Sequence, residues 1–419
     1  MRAAVVSALL VSGMTGLFVA CVGDDPATAV PRVSPDGSTN ASGGASSSGQ
    51  ASSSGGSSGE GPSDGSTDAA TLACGYPGEP CCVAPTRLCR AGTVCSTSST
   101  TCVVSDMVAV GRFGLLGKRP ISSRWDGSTW TKPVVVDNED FVPTDLWVEE
   151  DAVRLVATGP ESRGRMYSLA GTADSPSWAL CRVGHSCAAP STLFPRLSSV
   201  VHVAGDWWIA GSSSFYRCTG AMCPKQETGL EGQTWGDGTL VGSSPQDLWF
   251  GSYNQLFQFD GTAWKIHGGV KARALHQVRK DDIWAADERF QHWNGTAWSD
   301  ETSLSNGEGV PGSVTSMSGS AADDIWAVGN NNGNDAPFAA HWNGLAWSLV
   351  PFPASALRVD RVWAPSRAEA YVTSWGGIWR WTGSEWVAMP LPPRSQEVDD
   401  AGTSFDSWQL LGGSARPRP

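Results

Sequence analysis

The sequence predicts an all-β fold: a β-propeller of seven blades, four antiparallel strands each, preceded by a disordered tether and a small disulfide-rich module. Three observations carry this. All 21 tryptophans lie between Trp125 and Trp408, and the first 124 residues contain none. Two short phrases alternate along that stretch, one like DDIWAVG (Asp323 to Gly329) and one like WNGLAW (Trp342 to Trp347). Their spacing, about 35 to 57 residues, is the period of a propeller blade.

The chain opens with Met1 and Arg2, an uncharged run from Ala3 to Ala20, and then Cys21. A basic start, an apolar stretch and small residues before a cut site describe a secretion signal over 1–20. The run is marginal in length for a membrane span. Leu17-Phe18-Val19-Ala20-Cys21 resembles the lipobox of bacterial lipoproteins, with Phe18 where leucine is usual, and the resemblance implies lipidation of Cys21. The cysteine count agrees: of eleven, ten remain after Cys21, in groups of six, two and two. Even groups in an exported chain suggest disulfides.

Residues 21–73 are rich in Ser, Gly, Ala, Thr and Asp, with no aromatic side chain. Such a segment cannot bury enough apolar surface to offset chain entropy, and it reads as a tether. The formal net charge of −12 argues against nucleic acid and against a polybasic membrane contact, leaving the lipid as the link to a membrane.

Residues 74–102 hold Cys74, Cys81, Cys82, Cys89, Cys95 and Cys102, with too little apolar content for an ordinary core. Three disulfides would replace one. Zinc is the alternative, but the segment has no histidine. Fifteen pairings are open. The module resembles small knotted domains of secreted proteins, though its CC pair falls second and third. A rigid spacer or cap is the expected role.

Residues 103–413 carry the repeat, and 414–419 form a tail. The first phrase recurs as DDIWAAD from Asp281, QDLWFGS from Gln246, GDWWIAG from Gly205 and AEAYVTS from Ala368. Worn copies are DMVAVG from Asp106, EDAVRLVATG from Glu150 and FDSWQLLGG from Phe405. The second phrase recurs from Trp293, Phe259, Trp381 and Trp125. Apolar, β-branched and aromatic runs read as strands, and Asn-Gly, Asp-Gly and Thr-Gly as turns between them. Each blade is expected to run as blade six does: an inner strand near Val314 to Ser318, DDIWAVG, a strand ending at Trp342 and one starting at Trp347. The surplus copy near Trp408 would close the ring beside Met107.

Arg217 to Cys223, RCTGAMC, aligns with HWNGLAW, so Cys218 and Cys223 stand where Trp342 and Trp347 do. A disulfide needs α-carbons about 5.5 Å apart, which directly opposed strand residues provide. The cysteines therefore predict that the two tryptophans oppose each other as well. A register with Asn343-Gly344 as a two-residue turn would instead pair Trp342 with Leu345. CRVGHSC, from Cys181, is a second substitution of the same kind. Bonds Cys181–Cys187 and Cys218–Cys223 follow. Such a short bridge contributes about 2 kcal/mol, comparable to the roughly 0.5–1.5 kcal/mol of an aromatic pair beyond its burial.

No HExxH, phosphate loop or GxSxG elbow occurs, and no cofactor or metal is expected. The recurring Asp247, Asp282 and Asp324 read as turn caps. WDGSTW superficially resembles the sialidase Asp-box, but Asp126 and Gly127 are adjacent. Tryptophans in repeat positions should pack between blades. Those off the pattern, Trp207, Trp235 and Trp375, are the candidate ligand platforms.

DDIWAVG followed by HWNGLAW resembles the Trp-rich propeller repeats of lipoproteins predicted in myxobacteria and related bacteria. The resemblance covers 103–413 and implies a scaffold, not an activity. The expectation is a monomeric lipoprotein of the cell envelope, anchored to the outer membrane or cell surface, whose propeller binds a glycan or a cell-surface protein. It would be secreted if Cys21 carries no lipid. An extracellular carbohydrate-active enzyme, needing two converging acids, and a structural envelope protein are the alternatives.

Overall fold

The second phrase folds as a hairpin because its polar residue caps the turn and its glycine completes it. In the computed structural model, Asn343 Oδ1 accepts from the backbone N–H of Leu345 and Ala346 at 2.9 and 3.0 Å. Gly344 has φ +91°, and a Cβ there would come within 2.7 Å of Asp323 Cβ, so the glycine meets both a left-handed turn and a close approach. Asp126, Asp260 and Asn294 cap their turns in the same way. The loop has four residues, and Trp342 lies directly opposite Trp347.

The structure describes Pro77 and residues 81–413, except 85, 89–92, 96–101, 114–118, 150–151, 173–174, 182–193, 221–222, 231–234, 302–308, 376 and 394–406. All described residues belong to the unit Asp68–Pro419. Cys21, Cys74, Cys89 and Cys187 lie outside them, as does the side chain of Cys82. Among the described residues no helix is long and apolar enough to cross a membrane, and the helical content is one 3-10 turn, Pro160–Ser162.

Ahead of the propeller stand two small hairpins, Cys82–Ala84 with Thr86–Leu88 and Thr93–Cys95 with Cys102–Val104. Cys81 and Cys95 are bonded, with Cα atoms 5.7 Å apart. Cys102 is also disulfide-bonded.

Seven sheets follow, and they form a seven-bladed β-propeller. Blade six shows the plan: Gly312–Ala321, Asp324–Asn331, Pro337–Trp342 and Trp347–Val350, each antiparallel to the next. The last strand of the chain, Ser407–Gly413, pairs with Met107–Phe113 and completes blade one, which continues with Arg119–Trp125 and Val134–Val135. The ring is thus closed by both ends of the repeat region.

Blade three departs from the expected four strands. Among the described residues it has three, Leu197–Val203, Asp206–Gly211 and Phe215–Cys218, and its fourth is reduced to one bridge, Tyr216 opposite Lys225. Pro224 follows Cys223 directly and has no N–H to give a ladder. The sheet of blade two gains a fifth strand instead, Phe194–Pro195.

The core lies between the blades. Seven apolar clusters occupy the seven interfaces, from blades one and two (Val110, Phe141, Leu155) round to blades seven and one (Tyr371, Ile378, Trp130, Trp408). Both faces of a blade are therefore apolar, since alternate residues of each strand serve opposite interfaces.

Candidate functional site at the channel mouth

The repeated acids tie strands together rather than cap turns. Asp324 is buried at the start of its strand, with Oδ1 2.7 Å from His341 Nε2 on the next strand, and it also accepts from Ser320. Asp282 meets His292 at 2.8 Å. Arg124 Nε donates to Asp106, and Arg217 Nε to Asp206, each at 2.7 Å. Glu369 takes Arg380 in blade seven. The basic partner always precedes the first aromatic or cysteine of the second phrase. Asp247 serves a different set, Ser243, Trp249 and Gln277. Satisfied in this way, these acids are structural.

Two of the three candidate platforms are core residues. Trp207 is 9% exposed and stacks on His202 at 4.3 Å between blades two and three. Trp235 is 1% exposed, packs beside Phe215, and donates its indole N–H to the Gly211 carbonyl at 2.7 Å. Off-pattern tryptophans are the predicted ligand platforms, but the opposite face of a propeller strand is another blade interface, and Trp207 and Trp235 pack there. Trp375 alone of the three presents its ring to solvent, at 48%.

Trp375 stands at one end of the propeller, beside the channel. There the inner strands of several blades begin and frame a cavity of about 520 Å³, lined by Thr144, Thr239, Arg273, Thr315, Asp360 and Gln409 among others. Its floor is Arg361, which reaches across from blade seven to blade two and donates to the Thr144 carbonyl at 2.7 Å, with Asp145 at 3.5 Å. Beyond it lies a second, smaller cavity of about 220 Å³, lined by Leu275, His276, Met317 and Trp363. Arg358 links the mouth to a neighbouring groove of about 600 Å³, formed by Pro337, Phe352, Pro353, Leu357 and Trp375. Its guanidinium lies 5.7 Å from the Trp375 ring centroid.

Burial pushes the Asp360 carboxyl up to about 6, against the pull of Arg358, Arg361 and a hydrogen bond from the Trp375 side chain. The other carboxylate of the mouth, Asp237, is ion-paired with Arg196. In the smaller cavity, burial holds His276 down at about 4 although Asp282 and Asp324 oppose it. Among the described residues no three His, Cys, Asp or Glu side chains converge to hold a metal ion. Cys218 and Cys223 are bonded, with Cα atoms 3.9 Å apart, two steps along from the Tyr216–Lys225 bridge. They are buried at 2% and 3% exposure and lie away from the mouth. Cys181 is disulfide-bonded too; its predicted partner Cys187 is outside the described residues.

Sequence reasoning missed Arg358, Asp360, Arg361 and Gln409. They share no spacing, and only the closed ring brings Gln409 of the last strand to the inner strand of blade seven.

Fold and mouth together define a propeller whose repeated residues build the scaffold and whose irregular ones gather at one channel opening. No family model matches the chain, and no curated protein matches it. Similar solved structures include YCF48 bound to a D1 peptide, with TM-score 0.46 and 13% identity over 63% of this chain and 86% of that one. The WD40 β-propeller domain of Doa1 has TM-score 0.45 and 11% identity, covering 66% and 93%. The WD40 repeats of RRP9 have TM-score 0.43 and 8% identity, covering 64% and 90%.

Proposed function

We propose that the chain is an envelope lipoprotein, anchored through lipid at Cys21, whose propeller holds a surface partner at the channel mouth and the adjoining groove. One observation carries this reading. Three large apolar side chains exposed on the surface, Tyr253 (56%), Leu357 (59%) and Trp375 (48%), all line the mouth or the groove, beside Arg273 and Arg358. Exposed apolar side chains grouped around a polar cavity are the usual mark of a recognition surface. The repeat's own aromatic and acidic residues are occupied with packing and strand pairing.

Capture from solution of the full chain made with Cys21→Ser, and so without lipid, on cell-envelope fragments of its source tests this. Leu357→Asp combined with Tyr253→Ala should abolish capture. Leu345→Asp should not, because Leu345, 88% exposed, sits on the hairpin at the other end of its strands. Loss of capture through Leu345→Asp alone, or through neither variant, would remove the mouth from consideration.

A further inference from the structure

The mouth contains two acceptor atoms with no donor, one of them on Asp360, whose carboxyl also takes a hydrogen bond from the Trp375 side chain. Asp360 Oδ2 and Gln409 Oε1 are both shielded from solvent, and neither receives a hydrogen bond. They belong to the inner strand of blade seven and the closing strand of blade one, and both residues line the same cavity. A buried acceptor left without a donor is costly, and native structures carry few. Gln277 Oε1 and Gln291 Oε1 are unpaired acceptors as well, but Asp360 and Gln409 line one cavity, where a ligand can supply the donor. Both side chains line the cavity, so binding requires each oxygen to turn from its shielded position toward a hydroxyl offered there.

Charge narrows the class of donor. Mouth and groove together are lined by three arginines, Arg273, Arg358 and Arg361, and three aspartates, Asp237, Asp335 and Asp360. The balance is even, in a chain of formal charge −12. Arg361 is committed to Thr144 and Asp145. Among the described residues Arg273 and Arg358 form no ion pair, so both have N–H groups to give. A cation would meet the arginines, and an anion would leave Asp360 and Gln409 unmet. A neutral molecule that both donates and accepts, and that has an apolar face for the exposed Trp375 ring, satisfies every group.

Resting on the mouth as the binding face, we propose that its ligand is a neutral oligosaccharide. One pyranose ring lies on Trp375, its hydroxyls donate to Asp360 and Gln409, and its oxygens accept from Arg358. The hydroxyls are both donors and acceptors, and the axial C–H groups of the ring supply the apolar face.

The test is binding of the full chain to an array of neutral oligosaccharides, uronate-containing oligosaccharides and synthetic peptides, with affinities measured for the hits. Neutral oligosaccharides should be bound. Trp375→Ala and Asp360→Ala should each weaken them at least tenfold, with Trp375→Phe intermediate and thermal midpoints showing each variant folded. An array on which no neutral oligosaccharide binds overturns the proposal, as does neutral binding indifferent to Trp375→Ala. Peptides or uronates bound in place of neutral sugars, and lost on Trp375→Ala, overturn the ligand class while leaving the mouth as the binding face. Binding that survives every mouth substitution removes the face itself.

Discussion

The Trp326 ring of blade six lies edge-on to Trp386 of blade seven, with centroids 5.2 Å apart. It also meets Trp381 at 5.1 Å, so the tryptophan of the first phrase rests on the tryptophan pair of the next blade's second phrase. The relation repeats around the ring. Trp284 meets Trp342 and Trp347 at 4.7 and 5.4 Å. Trp249 meets Trp293 and Trp298, each at 5.9 Å, and Trp208 meets Phe259 at 5.5 Å. The two phrases recur together because each completes an interface with a different copy of the other.

Trp326→Ala should therefore cost about 3–5 kcal/mol, as large-to-small changes at buried aromatic sites do. Trp326→Phe should cost clearly less, because the Trp326 indole N–H is buried with no acceptor, and phenylalanine abandons no hydrogen bond. Denaturant midpoints at constant m-value check both. Equal losses for Ala and Phe would mean that the indole acts through something other than packing.

Cys218 and Cys223 stand where the first phrase of the preceding blade brings no tryptophan. Cys218 and Cys223 pack with Val156 of blade two, whose worn first phrase, EDAVRLVATG, has no tryptophan. Cys218→Ala with Cys223→Ala should cost about 2 kcal/mol from loop closure. Restoring the repeat with Cys218→Trp and Cys223→Trp should be worse than the alanine pair, since overpacking a filled interface costs about 1–3 kcal/mol in addition. Unfolding curves of the three chains give the order. A tryptophan pair as stable as the native bridge would show that the exchange is local to the hairpin.

Glu369 is buried at the head of its strand, where burial pushes its carboxyl up while Arg380 opposes this. Tyr371 Oη also donates to it, at 3.1 Å. Arg380→Ala leaves that carboxylate without its cation and should cost about 3–5 kcal/mol. Combining it with Glu369→Ala should recover part of the loss. A double variant no better than the single one, by thermal or chemical unfolding, would assign the loss to the arginine's packing.

What the sequence made legible follows from this repetition. Packing asks the same residue of nearly every blade, so Trp-x₄-Trp, the Asx-Gly turn and the arginine or histidine before the first tryptophan were visible as pattern. The alignment of Arg217 with His341 already held the cross-strand contacts to Asp206 and Asp324, but a local reading assigned the acids to turns. Trp207 and Trp235 became candidates because they leave the pattern, but a propeller strand has a blade on each side, so leaving the pattern does not expose a ring. Trp375 was found because it precedes Gly376-Gly377 in a connection between strands. Asp360 and Gln409 were not, because neither breaks a motif and only ring closure makes them neighbours.

The two shifted groups of the channel predict opposing pH effects that are best seen one at a time. Asp360 has a folded value of about 6 against an ordinary value of 3.8. Between these the folded state binds the proton more tightly, so its contribution is full below about pH 4 and is lost as pH rises through 6. A shift of about two units is worth roughly 3 kcal/mol. His276 runs the other way. Its folded value of about 4 lies below the ordinary 6.5, so the unfolded chain takes the proton first, and stability falls as pH drops from 6.5 toward 4. Across that window the two slopes offset each other in the native chain. Asp360→Asn should leave the histidine slope uncovered, so that the variant gains on the wild type as pH rises from 4 to 7. His276→Gln should uncover the aspartate slope, and its advantage should grow as pH falls. Thermal midpoints of the three chains at pH 4, 5, 6 and 7, taken as differences from wild type, read this directly. A difference that stays constant with pH for Asp360→Asn would mean that the carboxyl ionises near its ordinary value, with water supplying the partner that Oδ2 lacks.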